Sequence, residues 1–238
     1  MKIIAHIETD FPEKFGIPRQ SGIVEELQGK ITFEPEYRNP EAVRGLDGFS
    51  YIWLLWQFDG AEKDRWSATV KPPRLGGNQR MGVFATRSPF RPNPIGLSSV
   101  RLEKITFTER GPVLYVRGAD LRDGTPIYDI KPYLPYADCH TDASEGFAHE
   151  IRGNRLDVIF PRELLEEFPK EKRDAVIKVL RQDPRPSYHD DPERKYGMAF
   201  DGKDIHFRVE GQKLTVFEVV PYEEVRKKND IIFDKQPM

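Results

Sequence analysis

Residues 82–99 read GVFATRSPFRPNPIGLSS, and they predict a rigid, positively charged loop between two strands. The apolar residues 81–85 lead into the loop and are typical of a strand. Each of the three prolines that follow fixes its own φ and keeps the preceding residue out of helical geometry. Arg87 and Arg91 lie among these prolines. The stretch therefore predicts an ordered loop that presents cations, and such loops often carry function. A proline-rich surface linker is the alternative.

Charge is distributed unevenly around this loop. Residues 71–102 contain six basic side chains and no acidic one, whereas residues 1–70 contain 8 basic and 12 acidic side chains. The chain of 238 residues has a net charge of −2, which argues against a general nucleic-acid binder. The local positive region favours attraction of a polyanion. Pairing with the acidic residues before it explains the same pattern equally well.

The surrounding pattern predicts a mainly β fold. Residues 51–58, YIWLLWQF, form the most apolar run and predict a central strand buried on both faces. We therefore interpret Trp53 and Trp56 as core residues rather than as base-stacking platforms. The pair Asp123-Gly124 predicts a hairpin turn. Many short strands separated by turns favour a barrel or a sandwich. Further strands are predicted in residues 2–8, 22–27, 31–37, 97–107 and 113–117, with a short helix from residue 40.

A second, small α+β domain is predicted in residues 150–238, after a first domain in residues 1–140. The polar stretch TDASEGFAHE, residues 141–150, is interpreted as the linker. Residues 170–181 predict a helix with one apolar face, and prolines that cannot continue it follow. Other elements are predicted in residues 156–160 (strand), 161–168 (helix), and 196–200, 205–209 and 214–220 (two closing hairpins).

The composition, 38% hydrophobic and 32% charged, indicates a soluble globular protein. No apolar run reaches the roughly 18 residues of a membrane span, and residues 1–10 lack the pattern of a signal peptide. One cysteine, Cys139, rules out an internal disulfide and favours a cytoplasmic location. The five histidines show no metal-ligand spacing, so no metal is expected. No Ser-His-Asp or Cys-His hydrolase signature is present.

The opening stretch closely resembles the signature of the TsaA-like family, whose tRNA-modifying members are called TrmO. The resemblance continues at Pro18-Arg19-Gln20, at Asp123-Gly124-Thr125-Pro126, at residues 129–133 (DIKPY) and at residues 183–188 (DPRPSY). It implies a methyltransferase that uses S-adenosylmethionine and is built on a β-barrel rather than on a doubly wound sheet. It also implies tRNA as the partner and a homodimer as the assembly.

The resemblance further implies where the cofactor binds. Family members often carry His-Gln where this chain has Asp59-Gly60, so only backbone contacts carry over at these two positions. A contact between the Asp59 carboxylate and a ribose hydroxyl is our own hypothesis. The residues implied in cofactor binding are Pro18, Arg19, Gln20, Asp59, Gly60, Arg87, Leu97, Asp123, Gly124, Thr125 and Pro126.

The family substrate is threonylcarbamoyladenosine beside the anticodon, which is methylated on the exocyclic adenine nitrogen. That nitrogen is conjugated to a carbonyl and is a poor nucleophile until it loses its proton, so a carboxylate or an ionised phenol is a suitable partner. We therefore assign Asp183 and Tyr188 as catalytic candidates. Arginine pairs with carboxylates in two-pronged fashion, as the threonyl group requires. The candidates for substrate binding are Arg91, Asn93 and Arg185.

Three other readings stay open. Without the resemblance, Asp183 and Arg185 are interpreted as a local ion pair at the end of a helix. A non-catalytic β-barrel module that binds RNA also explains the basic region and the aromatic residues. A small-molecule hydrolase or regulatory nucleotide binder that uses the Asp123-Gly124 turn is the third.

Overall fold

The computed structural model describes residues 1–58, 66–72, 79–151, 155–185 and 191–223, and most of its regular structure is β. The strands are β1 (Ala5–Glu8), β2 (Gln28–Phe33), β3 (Tyr51–Gln57), β4 (Thr69–Val70), β5 (Met81–Gly82), β6 (Ile95–Thr108), β7 (Gly111–Arg117), β8 (Thr125–Pro132), β9 (Asp157–Ile159), β10 (Tyr196–Phe200), β11 (Lys203–Glu210) and β12 (Lys213–Pro221). The α-helices are α1 (Pro135–Asp138), α2 (Arg162–Leu165) and α3 (Lys170–Arg181), and short 3₁₀ turns occupy Pro35–Tyr37, Pro40–Val43, Leu46–Gly48, Val83–Ala85 and Gly146–Ile151. The predicted mainly β fold with a barrel is confirmed.

Six strands close into an antiparallel barrel in the order β1-β2-β7-β6-β3-β8. Closure leaves the barrel without an exposed strand edge. Its interior is filled by aliphatic side chains from every strand, such as Ile7, Ile31, Leu54, Leu114 and Ile127.

The central apolar run forms β3 as predicted, but the prediction that both of its faces are buried is wrong. Ile52, Leu54 and Trp56 are buried, whereas Trp53 is half-buried and Tyr51 is 40% exposed. The interpretation as a core residue is therefore confirmed for Trp56 and wrong for Trp53. A barrel strand places alternate side chains inside and outside, so only every second residue enters the core.

Other predicted elements also differ from the structure: the predicted strand at residues 31–37 ends at Phe33, and the helix predicted from residue 40 is a 3₁₀ turn. Residues 22–27 form turns rather than a strand, and β2 starts only at Gln28. The Asp123-Gly124 turn does not form a hairpin, because β8 pairs with β1 and β3 and not with β7. The backbone N–H groups of Asp123 and Gly124 donate instead to the carbonyls of Phe11 and Ile7, at 2.8 Å each. The turn thus carries the chain across to β1.

The second sheet has the order β10-β11-β12-β9, with two antiparallel hairpins and a parallel pairing between β12 and β9. Asp201 and Gly202 have φ values of 50° and 72°, the left-handed geometry that a two-residue hairpin turn requires. Helix α3 has the predicted bounds and buries the predicted face, which consists of Ala175, Val176, Val179 and Leu180. These elements confirm the predicted helix and hairpins.

The loop between β1 and β2 connects the two sheets. Phe11, Val24 and Leu27 are buried in the core of the second sheet rather than in the barrel. Lys172 on α3 donates to Asp10 at 2.5 Å and to Asp201 at 2.6 Å, so it ties this loop to the second sheet. The division into residues 1–140 and 150–238 stays a prediction. Among the described residues, no helix is long and apolar enough to cross a membrane.

Candidate functional site

The strand order gathers most of the predicted site residues at one end of the barrel. Because neighbouring barrel strands are antiparallel, the connections β1–β2, β3–β6 and β7–β8 leave the barrel on the same side. We call this side the loop end; its described residues are 9–27, 58, 66–72, 79–94 and 118–124. The motifs around residues 18–20, 87–93 and 123–126 all belong to it or border it. Motifs that are far apart in sequence are therefore neighbours by topology.

A hydrogen bond joins two of these motifs. The Arg87 guanidinium donates to Oε1 of Gln20, which lies 67 residues earlier in the chain. Pro18 is buried, whereas Arg19 and Arg87 are exposed. A buried proline followed by two polar side chains and a facing cation forms a small polar cluster at the loop end.

The proline-rich stretch is an ordered loop, held by its own hydrogen bonds. Oγ1 of Thr86 donates to the Val83 carbonyl at 2.8 Å, and the Arg91 guanidinium donates to the Thr86 carbonyl at 2.9 Å. Asn93 is exposed, and its carbonyl accepts from the N–H of Ile95 at 2.8 Å. The predicted strand at residues 81–85 is shorter than expected, since β5 ends at Gly82 and a 3₁₀ turn follows.

Asp120 is a site residue that the sequence reasoning missed. Its Oδ1 accepts a hydrogen bond of 2.6 Å from the Ser98 hydroxyl, and Oγ of Ser98 in turn accepts one of 2.9 Å from Nε1 of Trp56. The backbone N–H of Ser21 also bonds the Asp120 carboxylate. Asp120 thus connects β3, β6 and the loop that carries Gln20.

The electrostatics of Asp120 differ from those of a surface carboxylate. Burial raises the pKa of the Asp120 carboxyl, and the hydrogen bond from Ser98 and the positive charge of Arg87 offset only part of that effect. A polar inward position on β6, at Ser98, was the one signal of this network in the sequence. Alternation predicts that Ser98 faces the core, where a hydroxyl needs a partner.

The turn at residues 123–126 is anchored to β1 and its following loop. The Asp123 carboxylate accepts from the backbone N–H of Thr9 at 2.9 Å, and Oγ1 of Thr125 donates to the Arg122 carbonyl at 2.7 Å. Thr125 is buried, Pro126 is half-buried, and Asp123 and Gly124 are exposed. Gly124 has φ +76° and open space around it, so the backbone of the turn is accessible to a ligand.

Asp183 and Arg185 form a two-pronged ion pair. Nε and Nη2 of Arg185 each donate to one carboxylate oxygen of Asp183 at 2.9 Å. The Arg185 side chain is only 10% exposed, and Asp183 has φ 51° just after α3. This is the local ion pair that the sequence offered as an alternative. It leaves the Asp183 carboxylate already matched to a cation, and a catalytic role for it stays a prediction.

Four site candidates remain, and the structure describes one of them, Leu97. Leu97 lies on the outer face of β6 and is 56% exposed. Asp59, Gly60 and Tyr188 lie outside the described residues. Within the described ranges, no group of three or more His, Cys, Asp or Glu side chains is arranged to hold a metal ion.

Exposed aromatic rings accompany the cations at the loop end. Trp66 and Phe84 are 53% and 70% exposed, and their ring centroids lie 6.0 Å apart. The Arg91 guanidinium carbon lies 5.8 Å from the Phe84 ring centroid. We call Trp66, Phe84 and Arg91 the aromatic platform. Flat rings beside a guanidinium are the groups on which unpaired bases stack.

Comparison with known proteins gives consistent matches over both parts of the chain. Residues 6–139 match the family model for the tRNA-methyltransferase O N-terminal domain, and residues 153–222 match the TrmO C-terminal domain. A tRNA (adenine(37)-N6)-methyltransferase of Escherichia coli strain K12 is 40% identical over 226 residues, covering 92% of this chain and 96% of that protein. A protein of the same name from Eikenella corrodens is 49% identical over 163 residues, covering 68% of this chain and 92% of that protein. The crystal structure of TrmO from Pseudomonas aeruginosa superposes with a TM-score of 0.72 at 33% identity, covering 92% of this chain and 97% of that one.

Proposed function

Because this chain belongs to the TrmO family, we propose that it is a tRNA methyltransferase that methylates the exocyclic nitrogen of an adenosine next to the anticodon. The observation that carries the proposal is the hydrogen bond between Arg87 and Gln20, which joins the signature stretch to another of the motifs that match the family. The proposal includes S-adenosylmethionine as the cofactor, threonylcarbamoyladenosine as the acceptor and the cytoplasm as the location.

The chemistry of the loop end suits S-adenosylmethionine. The cofactor supplies an electrophilic methyl group when it is bound. Its amino-acid carboxylate calls for a cation, and Arg87 and Arg19 are exposed at this end. Its amino and hydroxyl groups call for acceptors, and the exposed Asp123-Gly124 turn offers a carboxylate and accessible backbone. Pro18, Gln20, Leu97, Thr125 and Pro126 complete the proposed site, with Asp59 and Gly60 from outside the described residues.

The acceptor side is proposed to use Arg91 and Asn93 together with the DPRPSY stretch. Arg185 would bind the threonyl carboxylate, and Asp183 or Tyr188 would take the proton from the acceptor nitrogen. In the structure Arg185 pairs with Asp183, so the threonyl carboxylate of the substrate would compete with the Asp183 carboxylate for the Arg185 guanidinium. Such an exchange would release the Asp183 carboxylate at the moment when a base is needed.

Replacing Asp183 by Asn tests this assignment. We expect kcat to fall by about a hundredfold or more, the usual scale of a lost general base, with S-adenosylmethionine affinity almost unchanged. Asp157→Asn, a change at an exposed carboxylate on β9, is the matched control and should leave both quantities as in the wild type. Equal losses of turnover and cofactor affinity in Asp183→Asn would defeat the assignment.

The aromatic platform supports RNA as the macromolecular partner. Phe84→Ala should raise the KM for tRNA by about fivefold to a hundredfold, since one lost base–aromatic contact is worth about 1–3 kcal/mol, without changing cofactor affinity. Phe107 is similarly exposed, at 65%, but lies at the far end of β6, so Phe107→Ala is the control. An equal effect of both changes on tRNA binding would remove the platform from the proposal.

A homodimer is proposed as the working assembly. Its support, besides the family resemblance, is the exposure of apolar side chains near the loop end, with Leu97 56% and Phe90 43% exposed. Light scattering coupled to size-exclusion chromatography measures the mass in solution. A mass of one chain, 27.6 kDa, at micromolar concentration would contradict the dimer.

The reaction itself is tested with methyl-labelled S-adenosylmethionine and tRNA from cells able or unable to make threonylcarbamoyladenosine. Label only in the modified tRNA is the expected result. Label in both tRNAs would retain the methyltransferase and remove the threonylcarbamoyl requirement. Salt-sensitive tRNA binding without methyl transfer or cofactor binding would favour the second candidate, a non-catalytic RNA-binding module, for which the basic region and the platform are the supporting observations.

A further inference from the structure

We propose that Asp120 is a positioning residue: its carboxylate holds residues 19–21 and Arg87 in the arrangement that binds the cofactor. The inference rests on the proposed function for its ligand, but its structural claim concerns the free protein. Asp120 is not part of any motif on which the family resemblance was based.

The hydrogen-bond directions in this network are determined by chemistry. The Trp56 indole can only donate, so Oγ of Ser98 is the acceptor of the 2.9 Å bond. The single hydroxyl proton of Ser98 is then available for Oδ1 of Asp120, 2.6 Å away. Trp56 and Ser98 are 7% and 1% exposed, so water does not compete for these groups. The Asp120 carboxylate is therefore fixed from the inside of the barrel.

The other side of the carboxylate faces the candidate site. The backbone N–H of Ser21 bonds it, and the positive charge of Arg87 acts on it. Oγ of Ser21 also accepts from the backbone N–H of Ser99 at 3.1 Å, which ties this part of the loop to β6. Arg87 meanwhile donates to Gln20. Asp120 is thus the anion around which the two motifs are assembled.

Energetics favour a functional interpretation of this carboxylate. Burying a carboxylate costs free energy, and burial raises the pKa of Asp120 in spite of its hydrogen bonds. Burial thus makes the ionised form of Asp120 less favourable in the folded protein than in the unfolded chain. Groups whose ionisation is disfavoured by burial and that lie beside a specific opposite charge are concentrated at functional sites.

Asp120→Asn is the decisive variant because it keeps the shape and an acceptor for Ser98 while it removes the charge. In the ligand-free protein we expect the amides of residues 19–22 to exchange their hydrogens at least about tenfold faster than in the wild type, because a bond to a charged group is lost. Cofactor affinity, measured by calorimetry, should fall by about tenfold to a hundredfold.

The matched control is Asp138→Asn. Asp138 is likewise connected to a tryptophan of β3, but it accepts directly from Nε1 of Trp53 at 2.9 Å and is exposed on the outside of the barrel. It should change neither the exchange of residues 19–22 nor the cofactor affinity. Ser98→Ala should weaken affinity less than Asp120→Asn does, and should add little in the Asp120→Asn background, because both act through one network.

A pH series separates positioning from a purely structural role. Arg87 is the charged group that acts on Asp120; Trp56, Ser98 and the Ser21 backbone are uncharged, and arginine does not titrate below pH 8. Wild-type cofactor affinity should decrease as pH falls through the raised pKa of Asp120, and Asp120→Asn should lack this component. Comparing the two proteins cancels the titration of the cofactor itself.

Unchanged exchange at residues 19–22 in Asp120→Asn overturns the inference, whatever the cofactor does. Faster exchange together with a wild type that binds no S-adenosylmethionine supports the positioning role and defeats the proposed function. Equal pH dependence of affinity in wild type and Asp120→Asn also overturns the inference, since the charge would then have no part in binding.

Discussion

Two tryptophans three residues apart on β3 connect to two carboxylates in opposite surroundings. Trp53 donates directly to Asp138 on the outer face, at 2.9 Å, whereas Trp56 reaches Asp120 through Ser98 inside the barrel. The backbone N–H of Leu134 and the Trp53 indole hold the pKa of Asp138 below its ordinary value, while burial raises that of Asp120. Hydrogen bonds thus outweigh desolvation at the outer carboxylate, whereas desolvation outweighs the hydrogen bonds at Asp120. Strand alternation, by deciding which tryptophan faces the core, also decides which carboxylate costs folding energy.

The largest loss of stability should come from Gly96→Ala, which disturbs the packing of Trp56 inside the barrel and leaves Trp53 on the outer face untouched. Gly96 pairs with Trp56 across β3 and β6, and a Cβ at this position would lie 2.2 Å from the indole ring. The buried ring has little room to move, so we expect a loss of about 3 kcal/mol in unfolding free energy, at the upper end for overpacking. Calorimetry should detect a fall in Tm of about 6–12 °C for a chain of this size.

Gly82→Ala is the control for that change, because nothing lies within 4 Å of its added Cβ and its φ is −56°. Its Tm should stay within about 2 °C of the wild type. An unchanged Tm in Gly96→Ala would show that Trp56 is free to shift. The interpretation of Trp56, Ser98 and Asp120 as a fixed network would then be wrong.

The next largest effect should be a difference in unfolding free energy between Trp56→Phe and Trp53→Phe. The first change leaves a cavity in the barrel core and removes the donor to Ser98, with an expected cost of about 2–3 kcal/mol. The second removes one hydrogen bond at a partly exposed position and should cost less than about 1 kcal/mol. Urea unfolding of the two variants measures both values, and equal costs would erase the contrast between the two faces of β3.

The smallest expected effect is in the pH dependence of stability, to which Asp120 and Asp138 should contribute with opposite signs. The folded pKa of Asp120 lies above its ordinary value of 3.8, so the folded state binds the proton more tightly and this group's contribution to stability falls as pH rises from that value through the raised pKa. The folded pKa of Asp138 lies below 3.8, so its contribution is present above that value and is lost as pH falls through the lowered pKa.

Urea midpoints of wild type, Asp120→Asn and Asp138→Asn between about pH 3 and pH 7 test these signs. Asp120→Asn should remove the part of the profile that declines with pH, and Asp138→Asn the part that rises. Differences from the wild type of the same sign in both variants would contradict the assigned surroundings.

The sequence predicted local features well. Helix α3 and the Asp201-Gly202 hairpin were predicted with nearly correct bounds, because an apolar helical face and a turn pair act over a few residues. The barrel was predicted as one of two β architectures, and the family resemblance favoured it.

Long-range pairing explains what the sequence could not predict. The Asp123-Gly124 turn has the composition of a hairpin, but the preference of β8 for β1 and β3 is decided by barrel closure. Asp120 is an ordinary loop carboxylate in the sequence, and only the distant residues Ser98 and Ser21 make it a half-buried junction. The site could therefore be predicted as a set of motifs, but not as a hydrogen-bonded network.

The loop between β1 and β2 ties the heat sensitivity of the enzyme to the second core as well as to the barrel. Phe11, Val24 and Leu27 are anchored in the second core, and Gln20 lies between these anchors. If the second core melted first, the loop would lose its anchors while the barrel was still closed, and inactivation would precede loss of the barrel. A truncated chain that keeps only the barrel would likewise expose these three side chains to water, so its loop between β1 and β2 would need to be redesigned.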